Sequence, residues 1–349
     1  MIKLLDYTLE ELEDLIVSIG EPKYRAKQIQ DGLYQGKLFP EIKTLSNQTR
    51  AKLQSMYISQ PLIILDKKVS NDGTIKFVFR SYDNNIIESV LMQYKYGYTL
   101  CVSCQVGCKM NCAFCASGKD GFVRNLSSGE ILAQIIQANK FLDGGLKDRR
   151  KITNVVMMGS GEPLDNYDNV IKFLKLVTQE FGISERNISL STCGLADKIK
   201  KLAEENLKIT LTLSLHASND NLRKSIMPVA NSNQLSSVMN ALKYYFNKTK
   251  RRIVFEYIVL PGINDLEENA YELKNLMKNI SYHINLIPYN SIDEHTGQSS
   301  TSRQEAYNFC NKLERLGLSV TVRRTMGEDI EGACGQLRRK YLTVNNDEN

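Results

Sequence analysis

Hydrophobic positions change their period twice along this chain. Over residues 1–60, apolar side chains such as Leu12, Ile16, Ile29, Leu33 and Tyr34 recur at intervals that suit one face of a helix. A small helical unit is expected there. From Leu62 to Leu91 the apolar runs shorten to Leu62-Ile63-Ile64-Leu65, Ile75-Lys76-Phe77-Val78-Phe79 and Ile86-Ile87-Glu88-Ser89-Val90-Leu91. Asn71-Asp72-Gly73 and Asp83-Asn84-Asn85 between them carry turn chemistry, so these runs are read as strands.

After Thr99 the pattern becomes strand, loop and helix, repeated with a period of about 25 to 45 residues. Strands are expected at Tyr98 to Val102, Thr153 to Met158, Asn187 to Leu190, Lys208 to Leu215, Arg252 to Leu260, His283 to Ile287 and Ser319 to Arg323. Amphipathic stretches between them include Ser128 to Leu142, Tyr167 to Phe181 and Ser302 to Leu316. Alternation of this kind implies an α/β fold with a parallel sheet and crossover helices. Six or seven such units suit a barrel, complete or partial, better than flat layers. The organisation read from the pattern is a helical domain over 1–60, a β-rich extension over 61–97, a partial (β/α)6-type barrel over 98–325 and a C-terminal segment over 326–349.

Barrels of this type collect functional groups at the C-terminal ends of their strands. Four expected strand ends carry polar or glycine-rich signals: Gly159-Ser160-Gly161-Glu162-Pro163, Ser191-Thr192-Cys193-Gly194, Ser214-Leu215-His216 and Pro288-Tyr289-Asn290. Taken singly, a glycine-rich strand end is ordinarily a tight turn, and His216 is ordinarily a hydrogen-bonded structural residue. Their shared place on one rim is what favours function. Gly118-Lys119 is not a phosphate-binding loop, because Asp120 stands where that motif needs Ser or Thr for magnesium.

Composition adds bounds. The chain has 349 residues and a formal net charge of +6, which favours an acidic partner without excluding a merely solvated basic surface. No apolar run reaches the ~18 residues of a membrane span, and the first residues lack a basic stretch followed by an apolar one. A cytoplasmic protein with reduced thiols is expected.

The cysteines narrow the picture most. Five of the eight fall at Cys101, Cys104, Cys108, Cys112 and Cys115, with Cys193, Cys310 and Cys334 far away. A disulfide scaffold belongs to short secreted chains. Zinc would use the two C-x2-C pairs, but seven residues separate Cys104 from Cys112, against roughly 15 to 20 in a zinc ribbon, and Cys108 would be left over. A ferredoxin-type run ends in C-x3-C-P, and no proline follows Cys115. Three thiols at Cys108-x3-Cys112-x2-Cys115, with Phe114 before the last, would instead hold a [4Fe-4S] cluster with one iron lacking a protein ligand.

That motif is similar to the signature of the radical S-adenosylmethionine (SAM) superfamily. The surrounding Cys101-Val102-Ser103-Cys104-Gln105-Val106-Gly107-Cys108 resembles one branch, the RNA adenine methyltransferases of the RlmN/Cfr group. The resemblance runs from Glu21-Pro22-Lys23-Tyr24-Arg25 to Gly335-Gln336-Leu337 and includes Gly159 to Leu164, Leu213-Ser214-Leu215-His216, Asn285-Leu286-Ile287-Pro288 and the Ala333-Cys334-Gly335 setting. It departs from the group at Cys104, where Ser is usual, and at Ser160, where Met is more usual.

The resemblance implies a radical SAM barrel holding one [4Fe-4S] cluster on Cys108, Cys112 and Cys115, with SAM on the open iron. Two SAM are used per methylation: one methylates Cys334, and the second yields a radical that takes a hydrogen from that methyl group. The methylene radical adds to the adenine ring, joining protein and RNA. Glu88 is then the implied base for the ring proton and Cys101 the implied resolving thiol, which releases Cys334 by forming a disulfide. SAM contacts are implied at Gly161 and Glu162, at Ser191, Ser214, Leu215 and His216, and at Asn290. The extra Cys104 is expected to be a spectator.

Within the group, Gly161-Glu162-Pro163-Leu164 and the Gly335-Gln336-Leu337-Arg338-Arg339 ending look more like the C2 methyltransferases of 23S rRNA and tRNA than the C8 enzymes of the Cfr type. A monomer supplied by an external one-electron reductant, flavodoxin or ferredoxin, is expected. Candidate RNA contacts are Lys23, Tyr24, Arg25, Lys27 and Gln28, then Lys248, Lys250, Arg251 and Arg252, then Arg338, Arg339 and Lys340. A loop adenosine is the expected target, since acting on a base edge requires exposing it. A reading of another class, a non-catalytic iron–sulfur or zinc RNA-binding protein, uses the same basic surface.

Overall fold

Two turns with backbone in the left-handed region, at Gly73 (φ +85°) and Asn84 (φ +62°), fold the β-rich stretch into antiparallel strands. The computed structural model describes residues 2–291 and 300–337. In it β1 (Leu62–Val69), β2 (Ile75–Ser81), β3 (Ile86–Tyr94) and β4 (Gly97–Cys101) pair in succession, with Val90 opposite Cys101 and Tyr94 opposite Gly97. From β4 onward the strands are parallel: β5 (Ile152–Met157), β6 (Ile188–Thr192), β7 (Thr210–Ser214), β8 (Ile253–Val259), β9 (Tyr282–Pro288) and β10 (Val320–Val322). Sheet order follows chain order and leaves β1 and β10 as edges. The barrel is therefore partial, and the 62–94 strands continue its sheet.

Crossover helices begin where the sequence offers caps. Ser127 and Ser302 each close a capping box, with Glu130 and Glu305, at the starts of α4 (Ser128–Phe141) and α10 (Arg303–Arg315). Between them lie α5 (Tyr167–Lys175), α6 (Ala196–Ala203), α7 (Asp220–Ile226), α8 (Leu235–Thr249) and α9 (Glu267–Leu276). The Tyr167 to Phe181 stretch is not one regular helix: after Lys175 it widens into i→i+5 turns over Leu176–Glu180. Ile183 closes this end by donating to the Val177 carbonyl at 2.9 Å.

Alternation along the strands sends Leu100, Val155, Leu190, Leu211, Leu213, Phe255 and Ile284, all fully buried, toward the helices. The opposite face carries Thr99, Ser189, Thr212, Glu256, Asn285 and Arg323, which line an open interior. A barrel filled by bulky side chains has no such space; the polar inner face is what leaves room for ligands.

The N-terminal residues form α1 (Leu9–Ser18), α2 (Arg25–Tyr34) and α3 (Asn47–Met56). They share the main hydrophobic core with the barrel through Leu12, Ile16, Ile29, Leu33 and Leu53. Polar ties fix the orientation: Asp6 Oδ1 accepts from the Gly129 N–H (2.6 Å), and Gln60 Nε2 donates to the Leu33 carbonyl (2.8 Å). Among the described residues no helix is long and apolar enough to cross a membrane.

Candidate active site

The three-cysteine loop starts just beyond β4 and is pinned from several sides. The Ala113 N–H donates to the Ile226 carbonyl at 2.9 Å and Ala116 N–H to Gly335 at 2.7 Å. Gly107, at φ +74°, turns the chain into Cys108, and a Cβ there would lie 1.9 Å from the Gly121 carbonyl oxygen. Cys108, Cys112 and Cys115 face a cleft of about 850 Å³, counting its open mouth. Gly161, Glu162, Ser191, Ser214, His216 and Cys334 face the same cleft.

Among the described residues, no three His, Cys, Asp or Glu side chains close on one point as a single metal ion would require. The thiols instead share a wall, a donor set that fits a cluster taking one thiolate per iron. Burial pushes the Cys108 thiol up to about 12 and those of Cys112 and Cys115 upward too, with neighbouring thiols adding to the effect. Iron supplies the positive charge that makes thiolates favourable in such a place.

The rim is organised by buried polar groups. Glu162 accepts from the Leu164 N–H at Oε1 (3.0 Å) and from the Cys193 N–H at Oε2 (2.7 Å), tying the β5 loop to the β6 loop. Burial raises its pKa, against the pull of those donors. Gly161 sits at φ +105°, and a Cβ added there would lie 2.6 Å from Gln105 Cβ and 2.9 Å from the Gln105 backbone nitrogen, so only glycine fits. Ser191 and Ser214 hydroxyls are 3.1 Å apart. Leu215 is fully buried and does not line the cleft; its N–H donates to the Glu256 carbonyl at 3.0 Å and its carbonyl accepts from Arg223.

His216 is both a structural residue and a cleft residue. Its backbone is left-handed (φ +58°), its Nδ1 accepts from the Ile258 N–H at 3.0 Å, and its ring meets Phe114 edge-on at 4.6 Å. Burial, and then the Arg223 charge, lower its pKa to about 3. Between an unfolded value of about 6.5 and about 3, the unfolded chain therefore takes up a proton that the folded chain refuses. Stability falls as pH drops through that window, by about 1.5 kcal/mol from pH 6.5 to 5 for this group alone. Urea unfolding at both pH values should show a steeper loss for wild type than for His216→Asn; equal losses would contradict the buried neutral imidazole.

A second cavity, about 700 Å³ counting the open solvent at its mouth, adjoins the cleft and is lined by Cys101 together with Cys334. The two spaces share Cys115, Met158, Gly159, Ile287, Arg323 and Cys334 as common wall. Asn290 lines the second cavity rather than the cleft. Burial and then Cys334 push the Cys101 thiol up to about 12, while the Arg323 guanidinium pulls it down. Cys104 lies in the main core and faces neither space.

The segment carrying Cys334 is held largely by the β1–β2 hairpin. Ser70 Oγ and the Asn71 N–H donate to Asp329 (2.5 and 3.1 Å), the Gly327 N–H donates to Asp72 (3.0 Å), and Lys76 Nζ donates to the Glu331 carbonyl (3.2 Å). On the other side Ser117 Oγ donates to the Leu337 carbonyl at 2.9 Å. Lys76 Nζ also lies 3.4 Å from Glu88 Oε1. Glu88 is buried and shares its strand face with Val90, Met92 and Tyr94. It does not itself line either cavity.

Sequence reading missed three charged groups. Arg323 Nη1 lies 3.7 Å from Glu256 Oε2, a buried oxygen with no hydrogen bond, at the floor of the cleft. Arg223, fully buried, donates to the Cys193, Leu215 and Asn233 carbonyls and so braces two strand ends. A lone acid inside Ile253-Val254-Phe255-Glu256-Tyr257 on an inward position was the available signal for Glu256.

Most N-terminal candidates for RNA contact are already paired: Lys23 with Glu13 (3.0 Å), Lys27 with Asp31 (2.9 Å) and Arg25 with Gln28 (2.8 Å). Tyr24 is 59% exposed. Lys248 pairs with Glu204 at 3.0 Å. Arg338, Arg339 and Lys340 lie outside the described residues.

Residues 102–274 match the family model of the radical SAM superfamily, and residues 2–58 match that of the ribosomal RNA large subunit methyltransferase N-terminal domain. The chain is 49% identical to a protein of Clostridium novyi (strain NT), over 99% of this chain and 100% of that one. It is 48% identical to a protein of Clostridium tetani (strain Massachusetts / E88), over 100% and 99%. Both relatives bear the name probable dual-specificity RNA methyltransferase RlmN. The fold matches the crystal structure of a radical SAM methyltransferase from Sphaerobacter thermophilus with a TM-score of 0.92 and 38% identity, covering 97% of this chain and 100% of that one.

Proposed function

The chain belongs to the RlmN family of radical SAM methyltransferases, and from that premise we propose that it methylates C2 of an adenosine in 23S rRNA and in tRNA, with Cys334 as methyl carrier. The observation that carries this reading is the place of Cys334 in the wall between two spaces, one bounded by the three-cysteine loop and the other holding Cys101.

The [4Fe-4S] cluster on Cys108, Cys112 and Cys115, with SAM, supplies a transferable methyl group and the power to abstract a hydrogen atom. The chain's own residues do the rest. Gly161 lets backbone approach SAM, while Glu162, Ser191, Ser214 and His216 shape the cleft around it. Cys334 presents sulfur to the cleft for methylation and to the second cavity for reaction with the base. Glu88, held beside Lys76 on the same face of β3 as Val90 and Met92, is the base for the adenine ring proton in this reading. Cys101 forms the disulfide with Cys334 that frees the product. Asn290 bounds the second cavity, where the adenosine would sit.

The helical unit over residues 1–60 serves RNA contact, with Tyr24 the most available group. The enzyme acts as a cytoplasmic monomer and draws electrons from an external flavodoxin or ferredoxin. Mass spectrometry of digested rRNA and tRNA from cells with and without the protein tests the reading: 2-methyladenosine should disappear with it. Loss of 8-methyladenosine instead would point to a C8 enzyme, and loss of neither would reject RNA methylation.

A further inference from the structure

One wall of the second cavity consists of Val90, Met92 and Tyr94, alternate positions of β3 that face one way. Val90 is the residue paired with Cys101, so the cavity follows the strand for roughly 13 Å, the span of four residues, from the two thiols to Tyr94. At that far end the chain reverses through Lys95 and Tyr96. The Tyr96 ring lies over Tyr94 with centroids 5.0 Å apart and planes 6° from parallel. Tyr96 is 64% exposed and, with Tyr94, borders the open interior of the barrel at the end where its strands begin, so the stack offers an aromatic face to solvent there.

The tip is held in place for this. Gly97 closes the turn at φ +129°, where a Cβ would come within 2.6 Å of Thr153 Oγ1. Two exposed cations are available: Lys95, next to Tyr96 in the chain, and Arg324, in the wall of the second cavity. Rings bounded by cations suit single-stranded RNA, because every base has a face that stacks on an aromatic ring and every linkage carries a phosphate. An enzyme that draws one base out of the strand also leaves its neighbour without a stacking partner.

We propose that the Tyr94–Tyr96 stack is the platform for the nucleobase adjacent to the target adenosine, with Lys95 and Arg324 meeting the flanking phosphates while the adenosine occupies the second cavity. This rests on the RNA methyltransferase reading above and adds the surface that receives the substrate strand.

The test uses the full-length, cluster-loaded enzyme and tRNA purified from cells lacking it. Tyr96→Ala should lower kcat/KM for RNA methylation roughly 5- to 100-fold, chiefly through KM, as expected for one lost base–aromatic stack. Tyr96→Trp should restore it. Methyl incorporation into Cys334 from SAM without RNA should stay within about twofold of wild type, since stacking with RNA plays no part in that step. Lys95→Ala and Arg324→Ala should reduce the salt dependence of RNA binding, and Tyr96→Ala should leave it unchanged. The platform is overturned if Tyr96→Ala keeps its kcat/KM for RNA, or if it loses Cys334 methylation in parallel. Failure of the wild-type enzyme to methylate RNA, with Cys334 methylation intact, would overturn the RNA reading itself and the platform with it.

Discussion

Replacing Cys334 with alanine is expected to abolish both methylation of the protein and methylation of RNA. Loss of a covalent nucleophile costs on the order of 10⁴-fold or more, and no neighbour can take over. Besides Cys334, the thiols in the wall of the second cavity are Cys101 and Cys115; Cys115 belongs to the three-cysteine loop, and Cys101 does not face the cleft. The variant should still fold, because Cys334 is only partly buried and its segment is held by Asp329, Gly327, Glu331, Gly335 and Leu337 rather than by the thiol. Radiolabelled SAM followed by digestion would locate the methyl group on the Cys334 peptide in wild type. RNA turnover at the wild-type rate by Cys334→Ala would refute the carrier role.

Cys101→Ala should fail differently. Methylation of Cys334 proceeds, because the cleft face of that sulfur is untouched, and the base still becomes joined to it. Release then needs a second sulfur, and Cys101 is the thiol placed in the same cavity. The variant should therefore accumulate a stoichiometric protein–RNA adduct that survives denaturing electrophoresis, with multiple turnover lost. The proximity of the Arg323 guanidinium supports this role, since it favours the thiolate of an otherwise strongly buried cysteine. Normal turnover without adduct would assign the release step to another group.

Much of the fold is legible in the amino-acid sequence. The parallel strands lie within a few residues of where apolar runs place them, because a strand buried under helices needs a short apolar stretch and a crossover needs a long amphipathic one. Hairpin turns at Gly73 and Asn84 follow from residues that tolerate a left-handed backbone. The widened turns at Leu176–Glu180 did not announce themselves, since an i→i+5 turn keeps the same apolar positions as a regular helix over so short a stretch.

Charged groups of the interior were hardest to read. Glu256 and Arg323 stand 67 positions apart in the chain and meet only because β8, β9 and β10 are consecutive in the sheet. Lys76 stands inside an apolar run with nothing near it in the chain to mark a role. Its role appears when Glu88 and the Glu331 carbonyl converge on its ammonium.

Local chemistry could be read from residue types alone: a three-thiol loop at a strand end, a glycine-rich strand end, a distant cysteine in a turn-forming segment, and the periodicity of a partial barrel. Those depend on residue type and near-neighbour spacing, which a linear string records in full. Only the tertiary structure decided that Cys334 stands between two spaces and shares one with Cys101, that Glu88 is buried against Lys76, and that a hairpin from residues 69–75 anchors the C-terminal segment. Apart from the Lys76–Glu88 pair on neighbouring strands, these contacts join residues more than two hundred positions apart, and their geometry follows from strand order and side-chain packing rather than from any pattern along the chain.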